Sequence, residues 1–258
     1  LSPCPSDIAI VTVTENAAPR AGTNGSTTLC AGGPSVNLIT VLGGDPDPGG
    51  TWSGPAPATT SFNGLFIPGQ TAPGTYTYTV AGLPPCANAT AQATVTVRQP
   101  PNAGSSRTIT VCDNATGFAM VDSLGGTPSL MNGTWRGPDP STAIVSGFFN
   151  PSNVAPGTYI YTYTVTGQAP CPNATSTLTI IVNPRANAGV STSHSVCANQ
   201  GSVPMLPLLG PTAQVGGTWT YQPTGVSHSG VFQPGVDAAG VYVYRVEGPQ
   251  GCAAVTAT

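Results

Sequence analysis

The residues most able to do chemistry in this 258-residue chain are seven cysteines, which recur with a fixed spacing. Three hold an early position in a repeated segment, and three hold a late one: Cys30, Cys112 and Cys197, then Cys86, Cys171 and Cys252. No Cys-x2-Cys pair or Cys/His cluster occurs, so the spacing disfavours zinc and favours disulfides. Pairing early with late cysteines inside each copy predicts three bonds that each close a loop of roughly 55 to 60 residues. These bonds are Cys30–Cys86, Cys112–Cys171 and Cys197–Cys252.

The seventh cysteine, Cys4, matches the late position of a copy lying upstream. We expect its disulfide partner in that upstream repeat, and we interpret residues 1–17 as the truncated last strand of the same repeat. In an alternative arrangement, a strand around residues 8–13 completes the third copy of a neighbouring chain. Cys4 argues against this alternative, because Cys252 already fills the late position of the third copy.

Other reactive side chains are scattered and predict no catalytic, cofactor or metal site. His194 and His228 both lie in the third copy, and a repeat whose other copies lack histidine is not built around it. Asp45 and Asp47 could suggest calcium, but the equivalent loops lack carboxylates, so we interpret this segment as a proline-rich turn. No nucleophile elbow, phosphate loop or paired carboxylates occur. The chain is therefore predicted not to be an enzyme.

An aromatic frame repeats together with the cysteines. Gly-Thr-Trp recurs about every 83 residues and is followed by Gly-x-Phe-x-Pro and by runs such as Tyr-Thr-Tyr-Thr-Val. The tryptophans could stack on sugars, but their fixed place in the repeat favours core packing against the disulfide. The predicted structural core consists of Trp52, Trp135, Trp219, Phe66, Phe149, Phe232, Tyr76, Tyr78, Tyr161, Tyr163, Tyr242 and Tyr244.

Charge and hydropathy exclude two classes of partner. Charged residues make up 6% of the chain, the formal net charge is −3, and all six basic residues are arginine. So few cations cannot neutralise a phosphate backbone, which excludes nucleic acid. No run of about 18 apolar residues occurs, which excludes a membrane-spanning helix.

The strand signals predict an all-β fold in three modules. Short alternating runs are separated by Gly and Pro, and in the first copy they cover 27–30, 36–42, 51–53, 65–67, 75–80 and 90–97. Roughly seven strands per period predict an immunoglobulin-like Greek-key β-sandwich, with a closed barrel as the less favoured alternative. The predicted modules are 18–100, 101–185 and 186–258, the last with a truncated final strand. Their proline-containing connectors favour a semi-rigid, elongated rod.

The repeated frame of glycines, cysteines and aromatic residues resembles a known group of repeats. Its elements here are Ala103-Gly104, Cys30, Leu42-Gly43-Gly44, Gly49 to Gly54, Gly64 to Pro68 and Ala72 to Val80. Together they are similar to the tandem immunoglobulin-like or PKD-like extracellular repeats of giant Bacteroidota surface proteins, of the gliding-motility adhesin and cell-surface filament type. The resemblance implies an extracellular or cell-surface location. Asp122-Ser123-Leu124 also resembles the O-glycosylation acceptor of Bacteroidota, which makes Ser123 a candidate modification site.

The leading functional expectation is a structural one. The chain is predicted to be a disulfide-stapled segment of a long extracellular fibre or adhesin stalk. Its partners would be the neighbouring repeats of the same chain and, through nearly uncharged threonine faces, other fibre chains. Two alternatives remain open: an array of modules that binds surface glycans, and an accessory region of a secreted enzyme.

Overall fold

The computed structural model describes residues 6–55, 62–130, 133–138, 144–145 and 147–258, and Cys4 lies outside these residues. Strands dominate the described residues, and the helices there are four short 3-10 helices: Leu38–Val41, Met120–Ser123, Pro151–Asn153 and Leu206–Leu209. We keep the names module 1, module 2 and module 3 for the three predicted repeats. Module 1, predicted as residues 18–100, contains β1 Gly25–Cys30, β2 Val36–Asn37, β3 Thr51–Ser53, β4 Leu65–Phe66, β5 Gly74–Val80 and β6 Ala89–Arg98. Module 2, residues 101–185, contains β7 Arg107–Cys112, β8 Phe118–Ala119, β9 Gly133–Arg136, β10 Ile144–Val145, β11 Phe148–Phe149, β12 Gly157–Val165 and β13 Ala174–Asn183. Module 3, residues 186–258, contains β14 Val203–Pro204, β15 Thr218–Tyr221, β16 Val226–His228, β17 Val231–Phe232, β18 Tyr242–Val246 and β19 Val255–Ala257.

Module 2 shows the strand arrangement most fully. One sheet has the order β7-β13-β12-β9, and the other has the order β10-β11-β8. Strand β12 is antiparallel to both of its neighbours, whereas the first strand, β7, runs parallel to the last strand, β13. Phe149 from one sheet and Ile180 from the other pack in a single core cluster. Two facing sheets connected in this order form an immunoglobulin-like Greek-key sandwich, so the predicted fold class is confirmed.

Modules 1 and 3 repeat this plan with shorter second sheets. Module 1 has the sheets β1-β6-β5-β3 and β2-β4, and β1 is again parallel to the last strand, β6. Module 3 has the sheets β16-β15-β18-β19 and β14-β17. Its last strand, β19, is short, and residues 191–197, which are equivalent to β1 and β7, form no strand.

By density of contacts the chain divides into two compact units. One consists of Leu1–Pro101 with Thr166–Asn173, and the other of Asn102–Val165 with Ala174–Thr258. The loop that connects β12 to β13 thus belongs to the first unit, although the two strands belong to the second.

Two predicted strands are corrected by the structure. The run 36–42 is a strand only over Val36–Asn37 and then turns into a 3-10 helix, because the Asn37 Oδ1 accepts a hydrogen bond from the Ile39 backbone amide and Leu38 is fully buried. The second correction concerns residues 6–17, which form no strand. A last strand of this fold needs a neighbour on each side, and the described part of this chain holds neither of them for this segment.

Each module core is built on the same two aromatic contacts. A tryptophan packs on a tyrosine of the facing strand in the pairs Trp52–Tyr78, Trp135–Tyr163 and Trp219–Tyr244, with ring centroids 4.9, 4.8 and 4.8 Å apart. A phenylalanine packs on a second tyrosine in the pairs Phe66–Tyr76, Phe149–Tyr161 and Phe232–Tyr242, at 6.0, 5.8 and 5.7 Å. The recurring aromatic frame of the sequence is therefore the recurring interior of the modules.

The glycine of Gly-Thr-Trp is required by the tyrosine that packs on the tryptophan. In module 3 the Tyr244 hydroxyl donates to the Gln214 carbonyl oxygen at 2.5 Å and accepts from the Gly217 amide at 2.9 Å. A Cβ on Gly217 would lie 2.6 Å from Cζ of Tyr244 and 2.5 Å from the Arg245 carbonyl oxygen. These atoms belong to a fully buried ring and a strand backbone, so they cannot move aside freely.

We predict that Gly217→Ala lowers the free energy of unfolding by about 2 kcal/mol, because the added methyl group overpacks the module. The matched control is Gly201→Ala in the same module, where a Cβ meets no atom within 4 Å. Urea denaturation followed by tryptophan fluorescence measures both variants. Equal stability of the two would contradict the role given to Gly217.

Candidate functional site: a disulfide joint between modules

The direction of the first strand places the early and late cysteines of one module at opposite ends of a sheet. Cys112 ends β7 and lies opposite Asn183, the final residue of β13. Cys171 lies in the loop before β13, at the other end of that ten-residue strand. At about 3.3 Å per residue the two cysteines are roughly 30 Å apart. A disulfide requires Cα atoms less than about 7 Å apart, so a bond within the module is sterically impossible.

The structure instead pairs the early cysteine of one module with the late cysteine of the next. Cys30 bonds to Cys171 with a Cα–Cα distance of 4.9 Å, and Cys112 bonds to Cys252 with a Cα–Cα distance of 4.8 Å. The predicted pairs Cys30–Cys86, Cys112–Cys171 and Cys197–Cys252 are therefore wrong. Within the described residues Cys86 and Cys197 are free thiols, the first half-buried and the second exposed.

The same two contacts lie beside both disulfides. The residue after the early cysteine donates its amide to the last residue of the last strand: Ala31 to the Arg98 carbonyl at 2.8 Å, and Asp113 to the Asn183 carbonyl at 2.9 Å. The sulfur of the late cysteine lies against the same carbonyl oxygen, at 3.5 Å for Cys171 and Arg98 and at 3.7 Å for Cys252 and Asn183. Each disulfide therefore fastens a late-cysteine loop onto the end of the preceding module's sheet. We call this arrangement the joint.

The late-cysteine loop closes with the same backbone hydrogen bond in all three modules, although a cis proline precedes the cysteine in modules 1 and 2 and a glycine, Gly251, with φ of +85° takes this place in module 3. The cysteine amide donates to the carbonyl three residues earlier, in Cys86 to Leu83, Cys171 to Gln168 and Cys252 to Pro249, at 2.8 to 2.9 Å. Its turn is thus formed in module 1 as well, where the cysteine has no disulfide partner among the described residues. The loop is a feature of the module itself.

Polar side chains add to each joint from the surface. The Asn183 amide group donates to the Gln250 carbonyl at 2.7 Å, and the Arg98 guanidinium donates to Gln168 Oε1 at 3.2 Å. Arg185 forms an ion pair with Asp113, Nε to Oδ1, at 3.2 Å. Because the arginine is largely exposed, this ion pair contributes little to stability. The covalent bond is the dominant interaction at the joint.

The other sequence-predicted candidates lie apart from the joint and serve local structure. His228 Nε2 lies 3.3 Å from the Asp237 carboxylate, and Asp47 forms an ion pair with Arg20 at 3.0 Å. His194 is in the segment 191–197, which forms no strand. No cluster of three or more potential metal ligands occurs in the described part of the chain. Ser123 is the last residue of its 3-10 helix and is half-buried.

The tryptophans pack on tyrosine rings and do not pack against a disulfide as predicted. The core cluster that includes Trp135 consists of aromatic and aliphatic residues, with the sulfur bridges at the ends of the sheets. Gly147, with φ of +78°, lies over the indole edge, where a Cβ would be 3.0 Å from Cδ1 of Trp135. One indole face is covered by tyrosine and the edge by this glycine, so the ring is a structural element.

The comparisons with known proteins found likenesses of low similarity. No family model matches the chain, and no curated protein matches it. Among solved structures, the three-domain titin I67–I69 E-to-A variant is 16% identical, with 93% of this chain and 97% of that chain covered and a TM-score of 0.35. Human protocadherin-24 EC1-2 is 15% identical, with 65% and 98% covered and a TM-score of 0.30. The Ig1-2 module of the Drosophila receptor tyrosine phosphatase DLAR is 16% identical, with 63% and 96% covered and a TM-score of 0.19. The strand order and pairing, rather than these likenesses, define the modules as immunoglobulin-like.

We predict that Cys112→Ala/Cys252→Ala lowers the free energy of unfolding by about 5 kcal/mol, because the bond closes a loop of 140 residues in the unfolded chain. The matched control is Cys86→Ala/Cys197→Ala, which removes two free thiols and is expected to leave stability unchanged. Calorimetric unfolding under non-reducing conditions measures both. A larger loss in the control than in the disulfide variant would contradict the joint.

The carboxyl group of Asp237 makes the stability of module 3 depend on pH in the acidic range. The Gln233 backbone amide, with a further contribution from His228, holds the pKa of this carboxyl below its ordinary value. A depressed folded-state pKa contributes stability above the unfolded value of about 3.9, and that stability is lost as the pH falls through the folded pKa. We therefore predict that the denaturation midpoint falls between pH 5 and pH 2 and that Asp237→Asn makes this fall shallower. An unchanged pH profile in the variant would contradict the assignment.

Proposed function

We propose that this chain is a load-bearing segment of a long extracellular fibre or adhesin stalk, of the kind its repeat frame resembles. The carrying observation is the pair of disulfides between successive modules. Bonds of this kind persist in oxidising compartments outside the reducing cytosol. The structural class, immunoglobulin-like modules suited to structural or adhesive roles, is consistent with this proposal. None of the helices in the described residues has the length and apolarity that a bilayer-spanning segment needs.

The strand geometry of a module resists stretching. The chain enters module 1 at the start of β1 and leaves it at the end of β6, and these strands are parallel neighbours over six residue pairs, from Gly25↔Ala93 to Cys30↔Arg98. Tension pulls the two strands in opposite directions along a common axis. The interstrand hydrogen bonds are then loaded together and must break together, which requires more force than opening a hairpin one bond at a time.

The disulfides set a second, covalent limit on extension. The loops closed by Cys30–Cys171 and Cys112–Cys252 interleave along the chain. The shortest covalent route between the termini runs from residue 1 to 30, across to 171, back to 112, and across to 252. That route contains about 94 residues, so the oxidised chain can reach roughly 320 Å fully extended, against roughly 870 Å without the bridges.

Single-molecule stretching between peptide tags at the two termini tests this proposal. With Cys4, Cys86 and Cys197 changed to Ser, the oxidised chain is expected to stop near one third of the length of the reduced chain. The control is the same molecule after reduction, which is expected to extend fully. A maximum extension that is identical before and after reduction would contradict the load-bearing role.

A further inference from the structure

The first joint, Cys30–Cys171, and the second joint, Cys112–Cys252, differ in the charges around their sulfur atoms. Cys30 lies directly opposite Arg98 in the register of β1 and β6, and the Arg98 guanidinium donates to Gln168 Oε1 in the late-cysteine loop at 3.2 Å. The residue opposite Cys112 is Asn183, which carries no charge. An arginine therefore connects the two halves of the first joint, and a neutral side chain takes its place in the second.

A carboxylate lies beside the second disulfide. Asp113 Oδ1 is 3.8 Å from Cys112 Sγ, whereas the residue that follows Cys30 in the first joint is Ala31. The same Asp113 oxygen accepts from the Arg185 backbone amide at 3.1 Å and pairs with the Arg185 guanidinium at 3.2 Å, which holds the carboxylate in place. The Asp113 side chain is 18% exposed and that of Arg185 is 60% exposed. Solvent therefore screens the arginine more than the carboxylate.

The charges of the second joint are paired, and that of the first is not. Beside the second late-cysteine loop, Glu247 pairs with Arg245 at 2.7 Å, whereas the equivalent residue of module 2 is Thr166. Arg98 forms none of the ion pairs found among the described residues. The first joint therefore presents an unbalanced positive charge, and the second joint does not.

The sulfur atoms of the two joints are otherwise equally accessible. Each disulfide has one buried cysteine, which is 5% exposed for Cys171 and 4% exposed for Cys112. The partner cysteine, Cys30 in the first joint and Cys252 in the second, is half-buried. A small thiol reaches the half-buried sulfur more easily, so the buried cysteine is the leaving group in both joints.

The two leaving groups have different neighbours. When a thiolate attacks Cys252, Cys112 leaves as a thiolate beside the Asp113 carboxylate. Two negative charges this close repel each other, which slows the breaking of the bond. In the first joint the Cys171 sulfur contacts the Arg98 carbonyl oxygen at 3.5 Å, which is a dipole and not a full charge. The first disulfide therefore breaks more readily than the second.

We propose that the two joints form a two-step redox switch, in which an anionic small thiol such as glutathione opens Cys30–Cys171 before it opens Cys112–Cys252. The unpaired Arg98 guanidinium attracts the negatively charged thiol to the first joint. At the second joint, Asp113 disfavours both the approach of this thiol and the departure of the Cys112 thiolate. Reduction of the first joint alone frees the late-cysteine loop of module 2 from β1, while the loop of module 3 stays bonded to β7.

The reduction proceeds by two thiol–disulfide exchanges. A glutathione thiolate attacks Cys30 Sγ, forms a mixed disulfide with it and releases Cys171 as a thiolate, which takes up a proton. A second glutathione thiolate attacks the glutathione sulfur of the mixed disulfide, which releases the Cys30 thiolate and forms oxidised glutathione. The protein disulfide gains two electrons and two protons, and the two glutathione thiols lose them.

Timed reduction of the folded chain tests this order, with Cys4, Cys86 and Cys197 changed to Ser so that no other thiol takes part. The chain is incubated with glutathione, free thiols are alkylated at intervals, and the labelled cysteines are mapped by mass. The cysteines of the first joint are expected to be labelled roughly tenfold faster than those of the second. With cysteamine, whose amino group is positively charged, this ratio is expected to fall roughly threefold. Equal rates for the two joints, or the same ratio with both reagents, would overturn the proposal.

Single substitutions assign the difference in rate to the two charges. Arg98→Gln is expected to slow opening of the first joint, and Asp113→Asn is expected to speed opening of the second, each roughly threefold. The matched control is Arg136→Gln, which removes a charge opposite Thr162 in the middle of the module 2 sheet and is expected to change neither rate. Rates that change equally in Arg98→Gln and Arg136→Gln, or a second joint unaffected by Asp113→Asn, would overturn the proposal. Any change in stalk length rests on the proposed function, but these rates are measured without load, so either can fail alone.

Discussion

The parallel pairing of the first and last strands is the constraint on which the rest of the molecule depends. Because β7 runs in the same direction as β13, its final residue lies where the chain leaves the module. The late cysteine lies in the loop at the opposite end of the same sheet. Because of this strand direction, the early and late cysteines of one module cannot bond to each other. Each can instead bond to a cysteine of a neighbouring module.

The stability of the chain is accordingly divided between two kinds of interaction. Inside a module, tyrosine rings pack on tryptophan and phenylalanine, and glycines at fixed places admit the tyrosine hydroxyl and the indole edge. Between modules, a disulfide fastens the late-cysteine loop to a sheet end, and the sulfur of that loop lies against the last carbonyl oxygen of the sheet. Each module is too small to bury a large core, and the covalent bonds compensate by linking folded neighbours. Low charge is compatible with this design, because the described ion pairs are mostly exposed and contribute little.

Periodicity in the sequence is enough to predict the immunoglobulin-like sandwich fold but not the cysteine connectivity. Tyr76 and Tyr78 alternate with threonine, and Trp and Phe recur, because one face of each strand is buried. These patterns can therefore be recognised in the sequence alone. The connectivity depends on whether Cys30 ends a strand that runs parallel or antiparallel to β6, and no local pattern encodes that direction. The signal that could have revealed it is positional: each early cysteine follows a strand run, whereas each late one lies in a hairpin loop. The 3-10 helix after Asn37 was missed for a similar reason, since an apolar run does not distinguish a strand from a buried turn.

The central claim is that disulfides join successive modules, and mass mapping of the native protein under non-reducing conditions tests it most directly. Chymotryptic digestion suits a chain with no lysine and few arginines. The structure predicts linked peptides that contain Cys30 with Cys171 and Cys112 with Cys252. Linked peptides that contain Cys30 with Cys86 and Cys112 with Cys171 would contradict it, because those bonds require the two ends of one sheet to meet.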